Sequence, residues 1–302
     1  MFSRRHPYLF FLLVFAGIIA GASVVISVIS FVSRDKGDLA FGEKVGVIRV
    51  EGPILESEPI LDSLQKFGRA DGIKAIVVRI DSPGGAVGAS QEIYRQIRKT
   101  AENKPVIASM GNIAASGGYY IASATDGIIA APGTVTGSIG VIMEYTNFRK
   151  LLEKIGVYPV VITSGKYKDM GSPLRKMTED ERRLLQNFVD TVHRQFIEDV
   201  AKGRKMKIKP VEEIADGRIM SGQTAKEHGL VDRMGNLTDA VNWAADKGGI
   251  RGEPKTVYLP KEKLPLVDYF MDRTSSELQK WLGRARTGEL SGGYIYDPGA
   301  RR

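Results

Sequence analysis

The sequence predicts an α/β fold built on a parallel sheet and preceded by one N-terminal transmembrane helix. Three observations predict it. Tyr8 to Val32 is an apolar run inside a longer stretch, Pro7 to Ser33, that carries no charge. Short β-branched runs then alternate with amphipathic helical stretches, the order that βαβ units require. One of those runs, Ala75 to Ile80, is almost continuously apolar, as a strand covered on both faces must be. The 302 residues are 43% hydrophobic and 26% charged, a composition that supports a packed core.

At about 1.5 Å of rise per residue, the N-terminal run is long enough to cross the ~30 Å hydrocarbon core of a bilayer. Arg4 and Arg5 precede it, and the mixed set Arg34, Asp35 and Lys36 follows, so the positive-inside rule favours a cytoplasmic N-terminus and an exported body. A cleaved signal peptide is the rival, with Ala20-Gly21-Ala22 as its small-residue site. The apolar run continues from Val24 to Val32 beyond that site, which favours the anchor. The chain divides into a cytoplasmic end (1–7), an anchor (8–32), a polar linker (33–43), a globular body (44–250) and a C-terminal extension (251–302).

Within the body, Val45 to Val50 is a β-branched first strand and Ser57 to Phe67 a helical stretch. Ala75 to Ile80 ends in the turn Asp81-Ser82-Pro83-Gly84-Gly85. A helix is expected over Ala89 to Glu102, then a strand at Val106 to Met110 and a loop from Gly111. Gly127 to Ala131 is the next strand, Asn147 to Ile155 a helix and Tyr158 to Thr163 another strand. Thr178 with Glu181 three residues on forms a capping box that opens a long helix toward Lys202. Further helices start near Ser221 and run from Leu237 to Lys247, with a strand at Lys255 to Leu259. Beyond Leu264 an amphipathic helix leads into a Gly-rich, basic tail.

The composition narrows the chemistry. There is no cysteine, so disulfides, thiolate metal sites and a cysteine nucleophile are excluded. Only His6, His193 and His228 are present, in no zinc-site spacing, so a Ser-His-Asp triad has little material and no metal or cofactor site is expected. The net charge of +8 comes from scattered basic residues without an aromatic-basic recognition motif, which argues against nucleic acid and for membrane proximity or a solvated surface. Paired glycines in Asp81-Ser82-Pro83-Gly84-Gly85 suit an oxyanion hole as well as an ordinary tight turn. In Ala114-Ala115-Ser116-Gly117-Gly118-Tyr119-Tyr120, Ser116 is a nucleophile candidate with the Gly117 N–H beside it, or a plain helix N-cap.

The two motifs together, one βα unit apart, resemble the signal peptide peptidase A family of serine-lysine peptidases, within the wider Clp-crotonase group. Thr136-Gly137-Ser138-Ile139-Gly140, Ser164-Gly165-Lys166-Tyr167-Lys168-Asp169, Asp216-Gly217-Arg218 and Gly229-Leu230-Val231-Asp232 match in order, over about residues 43 to 250. The resemblance implies a Clp/crotonase-like ββα-spiral and a serine endopeptidase. Ser116 is then the nucleophile, Lys168 the general base and Ser138 the hydroxyl that orients the lysine. Gly85 and Gly117 supply the oxyanion hole, with Gly84 in the turn. Lys166 is the local rival to Lys168. A serine hydroxyl needs a base, and a lysine serves only if its amine is neutral at working pH.

The chain's size resembles the family's short form, in which a homo-oligomeric ring forms and neighbouring subunits supply serine and lysine. Substrates implied are cleaved signal peptides and other apolar peptides at the outer face of a bacterial cytoplasmic membrane. Membrane lipid would be met through residues 8–32. Two other classes stay open: an acyl-CoA hydratase or isomerase on a crotonase-like scaffold, and a catalytically silent membrane scaffold.

Overall fold

The computed structural model describes residues 43–259 throughout, with helical backbone at scattered positions between Tyr8 and Ser23 and a strand at Gly293–Ile295. Most of the expected anchor, the segments on either side of it, and the expected helix and tail beyond Leu259 lie outside the described residues, apart from 293–295. Among the described residues no helix is long and apolar enough to cross a membrane.

The chain runs β1 (Lys44–Glu51), α1 (Glu58–Arg69), β2 (Ile73–Ser82), β3 (Gly84–Ala86), α2 (Val87–Ala101), β4 (Val106–Ala115) and α3 (Gly117–Ser123). It continues through β5 (Gly127–Ala130), β6 (Val135–Gly137), α4 (Arg149–Lys154), α5 (Glu179–Gly203) and α6 (Ile208–Glu212). Last come β7 (Ile219–Ser221), α7 (Gly222–Glu227), β8 (Arg233–Met234), α8 (Leu237–Lys247), β9 (Lys255–Tyr258) and β10 (Gly293–Ile295).

The main sheet has the order β7-β6-β4-β2-β1-β9, with β5 and β8 branching from β4, and is parallel except at β6–β7. Side chains alternate across it, as strand geometry demands. Val45, Val47, Ala75, Val77 and Ile107 face α8, whereas Ile48, Val50, Ile76, Val78 and Ile80 join the larger core with α1, α2, α3 and α5. Phe67 lies fully buried against Gly46, where any side chain would strike its ring, so α1 sits close on β1.

β4 decides where the site stands. Ile107–Ser109 pairs with β5 and Ile113–Ala115 with β6, so one strand serves two neighbours in succession. The stretch from Gly111 to Ala115, expected as a loop, is therefore strand. Asp81 makes this possible by accepting from the Ile113 N–H at 3.1 Å and from the Asn112 amide at 3.1 Å across the irregularity between β2 and β4. Thr134 and Thr136 hydroxyls donate to the Gly111 and Ala114 carbonyls at 2.8 and 2.7 Å.

A second correction concerns Tyr158 to Thr163, which is not a strand. The run has strand propensity, but among the described residues no backbone pairs with it, and Val160 and Ile162 are 87% and 94% exposed. Propensity without a neighbouring ladder leaves the segment unpaired. The α5 capping box forms as expected, with Thr178 accepting from the Glu181 N–H and Glu181 from the Thr178 N–H.

Candidate active site

Ser116 is one residue past the last ladder pair of β4, Ala115 with Gly137, and one before α3. Its N–H donates to the Gly137 carbonyl at 2.9 Å, and its carbonyl accepts from the Tyr120 N–H at 2.8 Å, so strand and helix grip it from both sides. That grip holds φ at 54° and ψ at −120°, a conformation costly for a residue with a Cβ. The hydroxyl does not cap α3, which removes the ordinary reason for a serine there. A sharp strand-to-helix turn of this kind is how a serine hydroxyl is presented at the end of a sheet.

The backbone beside it is drawn in by glycines. Gly84 has φ 103°, and its N–H donates to the Ser82 hydroxyl at 3.1 Å. Ile54 brackets β3: its N–H donates to the Gly84 carbonyl at 2.8 Å and its carbonyl accepts from the Ala86 N–H at 2.7 Å. By alternation the Gly85 N–H points to the other edge of β3. A Cβ on Gly85 would sit 2.0 Å from the Ile54 carbonyl oxygen, so only glycine fits. A Cβ on Gly117 would sit 3.2 Å from the Gly85 nitrogen and 2.6 Å from the Ser90 hydroxyl, so the Gly85 and Gly117 backbones adjoin. The open edge of β3 takes a strand: Gly293–Ile295 pairs antiparallel along it, Tyr294 opposite Gly85.

Ser138 follows β6 as Ser116 follows β4, so the register that pairs Ala115 with Gly137 puts the two serines side by side at the sheet end. Ser138 is buried, has φ 51°, and donates its N–H to the Arg218 carbonyl at 2.8 Å. Gly217 donates to the Ile139 carbonyl at 3.1 Å. Asp216 and Arg218 pair with each other, which draws the Asp216 carboxyl down to about 2. The Asp216-Gly217-Arg218 motif thus backs the Ser138 loop.

Tyr119 and Tyr120, which follow the two glycines, are fully buried and pin α3. The Tyr119 hydroxyl donates to the Leu230 carbonyl at 3.0 Å, and the Tyr120 hydroxyl to the Asp199 carboxylate on α5. Tyr94 and Phe196 pack on the Tyr120 ring, with centroids 5.1 and 4.7 Å away. Burial pushes the Tyr94 phenol up to about 12 and raises the Tyr119 phenol as well.

Lys168 stands elsewhere, on the arm 141–178 that links β6 to α5. The arm is tied to itself and to the start of α5: Phe148 N–H to the Pro173 carbonyl at 2.7 Å, Asn147 amide to the Arg175 carbonyl at 2.7 Å, and Arg175 to both Asp169 and Glu181. Lys168 is exposed, and among the described residues its ammonium makes no hydrogen bond or ion pair. Lys166 differs: its ammonium meets Asp180 at 3.0 Å and is raised chiefly by that contact. The fold therefore brings together Ser116, Ser138, Gly84, Gly85 and Gly117. No hydrogen bond or ion pair of the single chain joins Lys168 to that group. Among the described residues no His, Asp and Glu cluster is arranged to hold a metal ion.

Residues 98–251, which include Ser116, Ser138 and Lys168, match the model of peptidase family S49. This chain belongs to family S49. It is a serine peptidase, and residues 48–135, from β1 to the start of β6, also match the Clp protease family, in keeping with the parallel sheet. A Synechocystis protein described as a protease is 44% identical over 74% of this chain and 82% of its own length. An Enterococcus faecium protein named signal peptide peptidase SppA is 42% identical over 60% of this chain and 53% of its own length. Protease 4 of Haemophilus influenzae is 33% identical over 80% of this chain, which spans only 42% of that longer protein.

Within this S49 chain, three contributors to the site's geometry carried no signal of their own in the sequence. Ile54 is one apolar residue among many, yet its peptide group brackets β3. Ser90, which is buried, donates to the Ala86 carbonyl at 2.9 Å behind Gly117. Asp81 reads as the first residue of a glycine turn, yet its side chain holds the continuation of β4.

Proposed function

We propose that this chain is a membrane-anchored serine endopeptidase in which Ser116 is the nucleophile and Lys168 the general base, acting on cleaved signal peptides and other apolar peptides at the outer face of a bacterial cytoplasmic membrane. The observation that carries the reading is Ser116 itself: a buried serine at φ 54°, ψ −120° whose hydroxyl caps nothing, beside the adjoining backbones of Gly85 and Gly117. A substrate peptide lies antiparallel along β3, as Gly293–Ile295 does. Neutral Lys168 takes the Ser116 proton as Oγ attacks the scissile carbonyl carbon, and the Gly85 and Gly117 N–H groups hold the oxyanion. The lysine then protonates the leaving amine and activates the water that releases the acyl group. Ser138 holds the amine in line.

Lys168 is the better base than Lys166, because Asp180 stabilises the Lys166 ammonium. The pairing is made across subunits of a homo-oligomeric ring. The arm exposes Ile155, Tyr158, Val160 and Ile162, and a neighbouring copy would cover that surface and remove water from Lys168. The peptidase domain is 44–250, and the anchor is 8–32. Where described, the anchor is helical and exposes Tyr8, Phe15 and Ile19. The test is digestion of a signal-peptide panel by the full chain, read by mass spectrometry. Ser116→Ala and Lys168→Ala are each expected to abolish cleavage with thermal unfolding unchanged, a loss of about 10⁴-fold or more. Turnover retained by Ser116→Ala would remove the nucleophile.

A further inference from the structure

Arg175 places its guanidinium between two carboxylates. Nε and Nη2 each take one oxygen of Asp169, both at 2.8 Å, while Nη1 reaches Glu181 at 2.9 Å and Nη2 its other oxygen. Its own carbonyl is held by Asn147, so the fork is fixed at both ends. Asp169 is the carboxylate next to Lys168 in the chain. With one guanidinium N–H on each oxygen its charge is paired with Arg175, although the Asp169 side chain is 23% exposed and lines a cavity of about 340 Å³ together with Val161 and Leu174.

We propose that Arg175 is a positioning residue that keeps the Asp169 carboxylate from becoming the counter-ion of the Lys168 ammonium. This rests on Lys168 being the base. A lysine that must lose a proton is hindered by any anion fixed beside it, because opposite charge within ~4–6 Å favours the charged form. The anions that flank Asp169 in the fork, on the first turn of α5, are already committed, while Glu179 on the same turn is exposed and Glu144 lies at the far end of the arm. Asp180 is shared by Lys166 and Arg183, and Glu181 by Arg175 and the Thr178 N–H, while Lys176 adds a positive charge. Of these anions, Asp169 is the one adjacent to Lys168 in the chain. The fork also holds the Asp169 carboxyl below its usual range, so it stays an anion and stays paired at working pH.

The test is the pH profile of kcat/KM on an apolar peptide, using the full chain in its assembled state. Arg175→Met frees Asp169 and is expected to move the acid limb up by about one pH unit. The double variant Asp169→Asn with Arg175→Met is expected to return the limb to the wild-type position. A merely structural Arg175 would lower kcat without moving the limb, and the double variant would not restore it. An unmoved limb in Arg175→Met, with Lys168→Ala inactive, overturns the proposal while leaving the base assignment intact. Activity retained by Lys168→Ala overturns both. Should Arg175→Met fail to assemble, Arg175→Lys leaves one Asp169 oxygen unpaired and must shift the limb in the same direction by less; an unmoved limb there also overturns the proposal.

Discussion

Ser116 is 1% exposed, between a strand paired on both sides and a helix pinned by buried tyrosines, whereas Lys168 lies on an arm whose apolar side chains face solvent and whose contacts are mainly with itself. The first region is complete within one chain. Its strained backbone persists because hydrogen bonds to the Gly137 carbonyl of β6 and from the Tyr120 N–H of α3 hold it from both sides. The second region leaves uncovered both its apolar surface and the amine it carries. Local folding alone fixes the Ser116 backbone, whereas among the described residues nothing buries Lys168. The difference explains why the exposed surface and the candidate base share one arm.

The largest effect should come from disturbing the rigid region. In Gly85→Ala the new Cβ meets the Ile54 carbonyl at 2.0 Å, and because that oxygen is backbone the β3 edge must move. Losing one oxyanion donor lowers kcat by about 10²–10³-fold, with KM little changed. Steady-state kinetics on a chromogenic peptide would show it, and wild-type kcat in this variant would mean that β3 takes no part.

The arm should respond in the opposite way. Ile162→Asp alters a side chain 94% exposed, so the protomer's own stability should change by no more than about 0.5 kcal/mol. Association should weaken roughly tenfold or more, since a buried anchor residue is worth at least about 1.4 kcal/mol across an interface. Sedimentation with parallel activity measurements at several concentrations reads both. Unchanged assembly and unchanged turnover would break the link between the arm and the oligomer.

Much of the rigid region was legible in the sequence because its elements obey simple periodicities. The apolar run of β2, the capping box of α5 and the Leu237–Lys247 helix stand where pattern put them. The glycines of the two motifs were legible because close backbone approach leaves no alternative residue. β6, β7 and β8 were not legible, since strands of two or three residues show no period. Tyr158 to Thr163 misled because β-branched composition reports propensity, while pairing depends on a neighbour that composition does not specify. The continuation of β4 to Ser116 was hidden for the converse reason: Gly111 and Asn112 look like a turn until the Asp81 side chain is seen holding them.

A milder change separates scaffold from chemistry inside the rigid region. Tyr119→Phe deletes the hydroxyl that donates to the Leu230 carbonyl at 3.0 Å and leaves that buried acceptor unpaired. Stability should fall by about 1 kcal/mol in denaturant titration, with kcat per folded molecule unchanged. A drop in kcat at full folding would show that α3 positions Ser116 less firmly than its packing suggests.

The smallest effect belongs to acid, and it should fall on the arm. Glu181 is held at about 2, first by Arg175 and then by the Thr178 N–H, whereas a glutamate in the unfolded chain titrates near ~4.3. The folded chain thus binds this proton more weakly than the unfolded chain, so the stabilisation is complete above about pH 4.3 and is lost as pH falls toward about 2. Asp169, lowered by the same guanidinium, shifts in the same direction. Glu181→Gln removes the charge but keeps an acceptor for the Thr178 N–H, so the capping box survives and the Arg175 ion pair alone is tested. Thermal unfolding between about pH 5 and 2.5 should fall more steeply in wild type than in Glu181→Gln, by roughly a few degrees in Tm. Equal slopes would mean that the Arg175 fork contributes nothing to the hold of the arm on α5, and the contrast between a fixed serine and a tethered lysine would rest on packing alone.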